Sequence, residues 1–173
     1  YQKDGVRWLW TLASNGLGGI LADDMGLGKS LEMIAFLSLL KEKENILIIS
    51  PKSLIYNWKN ESEKWDSSRQ VEDVEVNKSS RKKTIERMKE AGQGVFVVSY
   101  DSLRNDEELY QDILFSTIVL DEAQYIANAT ALKTKAVKSL HAKHRFVLTG
   151  TPIQNSYMDL WSIMDFLMPG YLD

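Results

Sequence analysis

The alternation of apolar and polar positions along the chain predicts strands and helices in regular succession. Residues 18–22, 94–99, 115–120 and 145–148 are short apolar runs, and residues 71–76 alternate apolar with acidic side chains. Both patterns predict β-strands. Residues 45–50 form a continuous run rich in β-branched side chains and stop at Pro51, which is typical of a central parallel strand that is covered on both faces.

The segments between these strands carry helical spacing. Val6, Leu9 and Ala13 predict an amphipathic helix over residues 1–15, and similar patterns predict helices over residues 31–40, 53–65, 79–91, 133–140 and 160–167. A loop and a short helix are predicted at residues 100–103. Ser53 is the expected N-cap of the helix that ends at Trp65. Trp58 and Trp65 are seven positions apart, so one helix face should carry both into the core.

This order of elements predicts an α/β fold. We expect a central, mostly parallel sheet with helices on both faces and a functional edge at the carboxyl ends of the strands. A chain of 173 residues is long enough for one domain with a proper core and too short for two. It starts at Tyr1 rather than methionine and stops at Asp173, so we expect a longer parent protein.

Composition narrows the classes of function. The net charge of −3 supplies no general basic field, so nucleic-acid contacts must come from local patches. The absence of cysteine excludes disulfides, thiolate zinc sites and cysteine nucleophiles. Apolar runs are far shorter than a membrane helix needs, and no signal peptide opens the chain, so we expect an intracellular protein, cytoplasmic or nuclear, with no membrane partner.

A glycine turn between the first predicted strand and the next helix has the composition of a phosphate loop. Gly26 and Gly28 let backbone N–H groups curl around an anion at the amino end of a helix. Lys29 would reach the β- and γ-phosphates, and the Ser30 hydroxyl would complete the shell of a Mg²⁺ ion. Asp23 stands where the usual pattern begins with glycine. The motif therefore depends on its strand-and-helix context, which is present.

An acidic pair follows directly on a buried strand. Asp121 and Glu122 come after the apolar residues 118–120, where carboxylates are poorly solvated unless a positive group meets them. A metal–nucleotide complex is such a group: Asp121 would hold Mg²⁺ through its water shell, and Glu122 would orient and deprotonate the attacking water. An acidic helix start explains the charges but not their place after the strand. Together with the phosphate loop, the pair predicts a nucleoside-triphosphatase.

Two other strand ends carry side chains that could contact a ligand. Lys52 and Ser53 lie at a strand carboxyl end, and residues 149–152 form a hydroxyl-rich turn at another. Gln2, judged by spacing alone, is an ordinary solvated residue at a helix end.

The ordered motifs resemble the first RecA-like lobe of the Swi/Snf-type branch of superfamily 2 helicase-related ATPases. They are Tyr-Gln at 1–2, Asp-Asp-Met-Gly-Leu-Gly-Lys-Ser at 23–30, Pro-Lys-Ser-Leu at 51–54, Ser-Tyr at 99–100, Asp-Glu-Ala-Gln at 121–124 and Leu-Thr-Gly-Thr-Pro-Ile-Gln-Asn at 148–155. The resemblance covers essentially all of residues 1–173 and implies a RecA-like P-loop NTPase fold. The resemblance also accounts for Asp23 at the position where the usual phosphate-loop pattern has glycine, because that branch resembles this sequence at the same position.

The resemblance assigns roles to particular residues. Nucleotide-binding residues would be Gln2, Asp23, Asp24, Met25, Gly26, Leu27, Gly28, Lys29 and Ser30, with Gln2 reading adenine. Lys29 and Glu122 would be catalytic, and Ser30 and Asp121 would hold the metal. Coupling residues would be Gln124, Thr149, Gly150, Thr151 and Gln154, and DNA-backbone contacts would come from Pro51, Lys52, Ser53, Ser99 and Tyr100. Gln124 stands where many relatives carry histidine; a glutamine amide can donate and accept hydrogen bonds but carries no charge.

The implied activity is Mg-ATP hydrolysis that drives movement on double-stranded DNA or remodels protein–DNA complexes. The implied partners are ATP, Mg²⁺, double-stranded DNA and a second helicase lobe after residue 173. Two other classes stay open. A small-molecule kinase should show an arginine-rich lid, but the six arginines are scattered. A silent nucleotide-dependent interaction module would be recognised by loss of Lys29 or Glu122, and both are present.

Overall fold

A computed structural model describes residues 2–22, 28–40, 43–75, 78–150 and 156–172. The strands are β1 (Gly19–Leu21), β2 (Asn45–Ser50), β3 (Val71–Asp73), β4 (Gly94–Ser99), β5 (Leu114–Leu120) and β6 (His141–Leu148). The α-helices are α1 (Gln2–Ser14), α2 (Lys29–Ser38), α3 (Ile55–Trp65), α4 (Lys78–Ala91), α5 (Tyr100–Asn105), α6 (Glu107–Tyr110), α7 (Leu132–Lys138) and α8 (Tyr157–Leu167). Two 3₁₀ helices cover Lys52–Leu54 and Ala123–Ile126. In the described part of the chain, no helix combines the length and apolarity needed to cross a bilayer.

The strands form one six-stranded sheet in the order β1-β6-β5-β2-β4-β3. All of its pairings are parallel, which confirms the predicted fold class. Every residue of β2 is buried, as its continuous apolar run predicts for a strand with neighbours on both sides and helices on both faces. The sheet therefore presents all of its strand carboxyl ends along one edge.

Alternate residues of the strands point into two separate cores. On β2, Ile46 and Ile48 belong to a cluster with Phe36 of α2 and Trp58 of α3. The intervening side chains face a second cluster that takes residues from α4, α5, α7 and α8. The period of two along each strand thus supplies both faces of the sandwich. Burial of these apolar residues is the main force that fixes the strand ends at the site.

Some element bounds differ from those that the sequence predicts. β6 begins at His141 rather than 145, because its polar first half pairs with β5 while its side chains alternate toward solvent. The prediction that Ser53 caps α3 is wrong: Leu54 is at the N-cap position and no side chain caps the helix. The prediction of two core tryptophans is half wrong, since Trp58 is fully buried but Trp65 is 53% exposed. Helix α6 and the 3₁₀ helix at Ala123–Ile126 lack a clear apolar period in the sequence.

Candidate active site

Three adjacent strands, β1, β6 and β5, bring the sequence motifs to the same edge of the sheet. The backbone ladder continues one residue past these strands. The Thr149 N–H donates to the Leu21 carbonyl at 3.2 Å, and the Asp121 N–H donates to the Ile49 carbonyl at 2.8 Å. The end of β1, Thr149 after β6 and the acidic pair after β5 therefore lie along the same edge.

Gly28 connects the phosphate-loop segment to α2. Its φ of +79° lies in the left-handed region, where a glycine avoids the penalty that a side chain would meet. A Cβ built on Gly28 would also lie 2.7 Å from Nε2 of Gln2. The structure thus places Gln2 against the start of α2, although the two residues are far apart in sequence. Lys29 is the first residue of that helix, and Ser30 is the second.

Five of the predicted nucleotide-binding residues lie outside the described residues. They are Asp23, Asp24, Met25, Gly26 and Leu27. Two predicted coupling residues, Thr151 and Gln154, also lie outside them. The roles that the motif assigns to these positions stay predictions.

A groove of about 470 Å³ lies between α1 and α2, beside Gln2. Its lining includes Gln2, Val6, Leu31 and Ala35. An apolar wall with an amide at one end has the character of a site for a flat heteroaromatic ring.

Asp121 is held at the base of the site by two aromatic residues from other elements. Its carboxylate Oδ2 accepts a 2.8 Å hydrogen bond from the indole Nε1 of Trp58, and its carbonyl accepts a 2.6 Å hydrogen bond from the Tyr100 hydroxyl. The residue itself is only 6% exposed. Both its backbone and its side chain therefore have fixed partners.

The electrostatic environment of Asp121 is that of a buried acid. The pKa of its carboxyl is raised from 3.8 to about 6, mainly by burial and to a smaller extent by the nearby charge of Glu122. The Trp58 hydrogen bond and the positive charge of Lys29 act in the opposite direction. The influence of Lys29 on Asp121 shows that the start of α2 and the end of β5 share one electrostatic site.

Glu122 has an unusual backbone. Its φ of 52° and ψ of 58° place a non-glycine residue in the left-handed region, a conformation that costs of order 1–3 kcal/mol and is found preferentially at functional sites. Its Oε2 accepts a 2.6 Å hydrogen bond from Nε2 of Gln124. The amide oxygen of Gln124 accepts in turn from the Thr149 hydroxyl at 3.3 Å. A hydrogen-bonded chain therefore runs from the end of β6 to the second acid.

The donor set at this edge fits magnesium. The Asp121 carboxylate and the Ser30 hydroxyl are hard oxygen ligands, which Mg²⁺ prefers to bind in small numbers together with substrate phosphates and water. Asp121 is buried, and its carboxylate accepts a hydrogen bond from the uncharged indole of Trp58. A dication is a suitable partner for such a group.

The predicted DNA-contacting residues fall into two groups. In the first, Lys52 and Ser53 are exposed on the 3₁₀ helix after β2, and Pro51 is buried. In the second, Ser99 and Tyr100 are 3% and 2% exposed.

The side chains of this second pair have intramolecular roles. The Ser99 hydroxyl caps α5 by accepting from the Ser102 N–H at 3.1 Å, and it also bonds to the Glu75 carboxylate. Tyr100 bonds to Asp121. A contact between DNA and either group stays a prediction.

The remaining coupling residues lie where the strand ends place them. Thr149 is fully buried, Gln124 is half-buried between Thr149 and Glu122, and Gly150 follows in the same turn. The structure thus brings Gln124, Thr149 and Glu122 together, and it adds the intermediate hydrogen bonds that the sequence does not reveal.

Sequence reasoning assigned Trp58 to the core and did not recognise it as a partner of Asp121. The signal that could have found it is chemical: a buried indole N–H needs an acceptor, and a buried carboxylate at the next strand end needs donors. Tyr100 is a second such case. Its ring also stacks on Tyr125, with centroids 5.2 Å apart and planes 9° apart.

Comparison with known proteins places this site in a family. The model of the SNF2-related domain matches residues 1–173. An uncharacterized ATP-dependent helicase of Mycoplasma pneumoniae is 41% identical over 176 residues, which are 99% of this chain and 17% of that protein. The chromatin-remodeling ATPase INO80 of Saccharomyces cerevisiae is 37% identical and is matched over 100% of this chain and 12% of its own length.

Two further comparisons agree with these. The TATA-binding protein-associated factor mot1 of Schizosaccharomyces pombe is 41% identical and is matched over 99% of this chain and 10% of its own length. The solved structure of the Sulfolobus solfataricus SWI2/SNF2 ATPase core in complex with dsDNA is similar, with a TM-score of 0.86 and 38% identity over 98% of this chain and 35% of that one. The chain thus spans 17% or less of the curated relatives named here. The fold, the order of the motifs and the family model agree that this chain belongs to the SNF2-related family.

Proposed function

We propose that this chain is the ATP-binding lobe of a DNA-dependent ATPase that moves on double-stranded DNA or remodels protein–DNA complexes. The observation that carries the proposal is the hydrogen-bonded chain Thr149–Gln124–Glu122, which lies beside Asp121 and Lys29 at the edge where β1, β6 and β5 end. A general base tied to a neighbouring strand end is suited to sensing a change elsewhere in the protein.

The nucleotide would lie across the start of α2. The positive end of the helix dipole, the Lys29 ammonium and the backbone after β1 would hold the phosphates. The adenine would enter the groove between α1 and α2, where the Gln2 amide next to Gly28 can donate to and accept from a base edge.

Hydrolysis needs an oriented water and an acceptor for its proton. Glu122 is half-buried, and the Gln124 amide donates to one of its carboxylate oxygens, so the carboxylate has a defined direction from which to accept that proton. Lys29 would stabilise charge on the γ-phosphate. Ser30 and Asp121 would hold Mg²⁺, which when bound neutralises phosphate charge.

The link from Glu122 to Thr149 supplies a route for coupling. A shift of the turn after β6 would move the Thr149 hydroxyl, which would change the position of the Gln124 amide and hence the orientation of the base. Gln124 performs this task as a neutral group that both donates and accepts. We therefore expect the coupling not to depend on protonation at position 124.

A complete active site needs a cation from outside this chain. All six arginines have partners within the domain. They are Arg7 with Asp4, Arg69 with the Leu37 carbonyl, Arg81 with Asp106, Arg87 with Glu72, Arg104 with Asn105, and Arg145 with the Leu140 and Phe166 carbonyls. An arginine from a second lobe of the parent protein would meet the γ-phosphate from the opposite side.

DNA would bind through backbone contacts rather than base contacts. Exposed Lys52 and Ser53 can meet phosphates without reading sequence. The solved relative that is similar to this chain is described as a complex with dsDNA, which supports the same class of partner here. We place the protein inside the cell, and in the nucleus if its source is eukaryotic.

The test is ATP turnover by the full-length protein with Mg²⁺, in the presence and absence of duplex DNA, together with displacement of a third strand from a DNA triplex. The proposal expects DNA-stimulated turnover and ATP-dependent displacement. Gln124→Ala should retain ATP binding and lose most of the DNA stimulation, whereas the exposed Gln93→Ala should behave as wild type. Absence of ATP hydrolysis under these conditions, or transfer of the phosphate to a small molecule, would overturn the proposal.

A further inference from the structure

Trp58 makes a long-range contact that its role in the core does not require. It lies in the first turns of α3, is fully buried, and belongs to the apolar cluster on one face of the sheet. Its indole N–H nevertheless points out of that cluster and donates at 2.8 Å to Oδ2 of Asp121, 63 positions further along the chain. A phenylalanine at this position would fill much of the same space without that bond.

The hydrogen bond acts on the carboxylate itself. The backbone of Asp121 is already fixed, because its N–H donates to the Ile49 carbonyl and its carbonyl accepts from the Tyr100 hydroxyl. The side chain keeps a rotatable bond to its carboxylate, and an in-place donor on Oδ2 selects one rotation of that group. Trp58 therefore controls a degree of freedom that the backbone contacts do not.

The direction of the carboxylate matters for a metal ligand. Groups that hydrogen-bond to a ligand from behind orient it and tune its affinity for the ion. The donor here is the neutral indole N–H of Trp58, whose ring is held rigidly in the core. It therefore fixes the direction of the carboxylate without neutralising its charge. An arginine or a lysine in its place would compete with the ion.

We propose that Trp58 is a positioning residue for the metal-binding carboxylate of Asp121. The inference rests on the proposed function, since it takes Asp121 as a residue of the magnesium–nucleotide site. It adds a residue to that site from α3, the helix that follows the predicted DNA-contacting residues 51–53.

The experiment measures metal-dependent nucleotide binding rather than turnover. Binding of a fluorescent ATP analogue to the full-length protein is followed as Mg²⁺ is titrated, and again in EDTA. Trp58→Phe should raise the Mg²⁺ concentration for half-maximal binding by about tenfold, the lower end of the effect of losing a group that orients a metal ligand. Binding in EDTA should change less than twofold. The matched control is Trp65→Phe on the same helix. The Trp65 indole donates at 2.9 Å to the half-buried Glu61, and its replacement should leave both values unchanged.

A second comparison ties the effect to the carboxylate. In an Asp121→Ala background, adding Trp58→Phe should shift the Mg²⁺ dependence less than twofold, because no carboxylate remains to be oriented. If phenylalanine prevents folding, as judged by circular dichroism, β-(3-benzothienyl)alanine at position 58 replaces the N–H with sulfur at nearly the same shape and carries the same comparison.

The outcomes separate the two proposals. An equal loss of binding with and without metal, or an unchanged Mg²⁺ dependence, would overturn the role of Trp58 while Asp121→Ala still establishes the metal site. If nucleotide binding by the wild-type protein does not depend on Mg²⁺, the proposed function and this inference fall together. The inference is supported if Trp58→Phe raises the Mg²⁺ concentration for half-maximal binding, leaves binding in EDTA unchanged, and has no such effect in the Asp121→Ala background.

Discussion

On the β3–β4 side of the molecule, the Asp106 carboxylate is paired with the Arg81 guanidinium, and both side chains are largely buried. At the carboxyl end of β5, the Asp121 carboxylate instead accepts from the indole of Trp58, which has no charge. A guanidinium neutralises the acid that it holds, whereas an indole fixes the direction of an acid and leaves its charge in place. The first arrangement serves packing between α4 and the α5–α6 junction, and the second leaves a charge for a ligand that binds from outside.

The same contrast extends to the second acid of the site. Glu122 is held by the Gln124 amide, again a neutral donor. The exposed Glu72, in contrast, is paired with Arg87. Arginine thus pairs with acids elsewhere in the protein, whereas the bonds to Asp121 and Glu122 come from the neutral side chains of Trp58 and Gln124.

Removing the external cation should have the largest effect. We expect the 173-residue chain alone to bind Mg-ATP weakly and to hydrolyse it about 10³ to 10⁵ times more slowly than a protein that also carries the second lobe, because that is the usual contribution of an arginine finger. The measurement is ATP turnover with saturating duplex DNA, with nucleotide binding as the control for folding. Robust DNA-stimulated hydrolysis by the chain alone would contradict the single-lobe interpretation.

Neutralising the second acid should come next. Glu122→Gln in the full-length protein should keep ATP binding and lose about 10² to 10⁴ in turnover, because an amide can orient a water but cannot take its proton. Steady-state hydrolysis is the measurement. Glu63→Gln, an exposed acid on α3, is the matched control and should have normal turnover. Near-normal hydrolysis by Glu122→Gln would place the base elsewhere.

Removing the cation at the start of α2 should strongly weaken nucleotide binding. We expect Lys29→Ala to weaken binding of a fluorescent ATP analogue by about a hundredfold, in line with the loss of hydrogen bonds to charged phosphate oxygens. The fold should remain, since Lys29 belongs to neither apolar cluster. Lys82→Ala, an exposed lysine on α4, serves as the control. Tight binding by Lys29→Ala would refute the assignment.

Neutralising Asp121 should increase the stability of the metal-free protein. Burial raises the pKa of this carboxyl from 3.8 to about 6, so the folded state is penalised by the charge at pH above 6, and the penalty vanishes as the pH falls below the unfolded value. In EDTA at pH 7.5, Asp121→Asn should unfold in urea with a free energy higher by on the order of 2 to 3 kcal/mol, and the difference should disappear near pH 4.

The matched control for this prediction is Asp112→Asn. Lys89 lowers the pKa of the Asp112 carboxyl, so its linkage has the opposite sign and its asparagine variant should gain no stability at pH 7.5. If Asp121→Asn were less stable than wild type at that pH, the charge of Asp121 would have a partner strong enough to offset its burial.

Breaking an exposed ion pair should have the smallest effect. Arg87 and Glu72 are paired, with side chains 59% and 39% exposed. Arg87→Ala should lower the free energy of unfolding by no more than about 1 kcal/mol, because solvent and salt screen such pairs. Urea unfolding at low and high salt is the measurement. A loss of 2 kcal/mol or more would show that the pairs on this side of the molecule are stronger than their exposure suggests.

The sequence was sufficient to predict most of the sheet. β2 is nearly continuous in apolar residues and β5 ends in the apolar run 118–120, because these stretches are buried, and both patterns can be recognised in the sequence. The amino half of β6 was missed, because at residues 141–144 polar side chains alternate toward solvent and resemble a loop. A strand that is only partly buried, and on one face, does not produce a continuous run of apolar residues in the sequence.

The limits for the candidate site have a different cause. The strand-end rule placed Asp121, Glu122 and Thr149 at one edge correctly. Neither the bond between Trp58 and Asp121 nor the two bonds made by Gln124 follow from local spacing, because each depends on how separate elements pack. The opposite fates of Trp58 and Trp65 have the same origin. Seven positions are about two helical turns, but Trp65 is the last residue of α3 and remains half exposed, whereas Trp58 is fully buried.

The order of the strands has a consequence for biosynthesis. β1 lies at the edge of the sheet and pairs with β6, with Gly19 opposite Phe146. β1 is therefore without a strand partner until β6, the last strand in the sequence, has been made. Closing a loop of this size carries a large entropic penalty that only the completed sheet offsets. Nearly the whole domain must therefore be synthesised before β1 gains its partner in the sheet, and a nascent chain that ends before residue 146 lacks the residues of β6 that pair with β1.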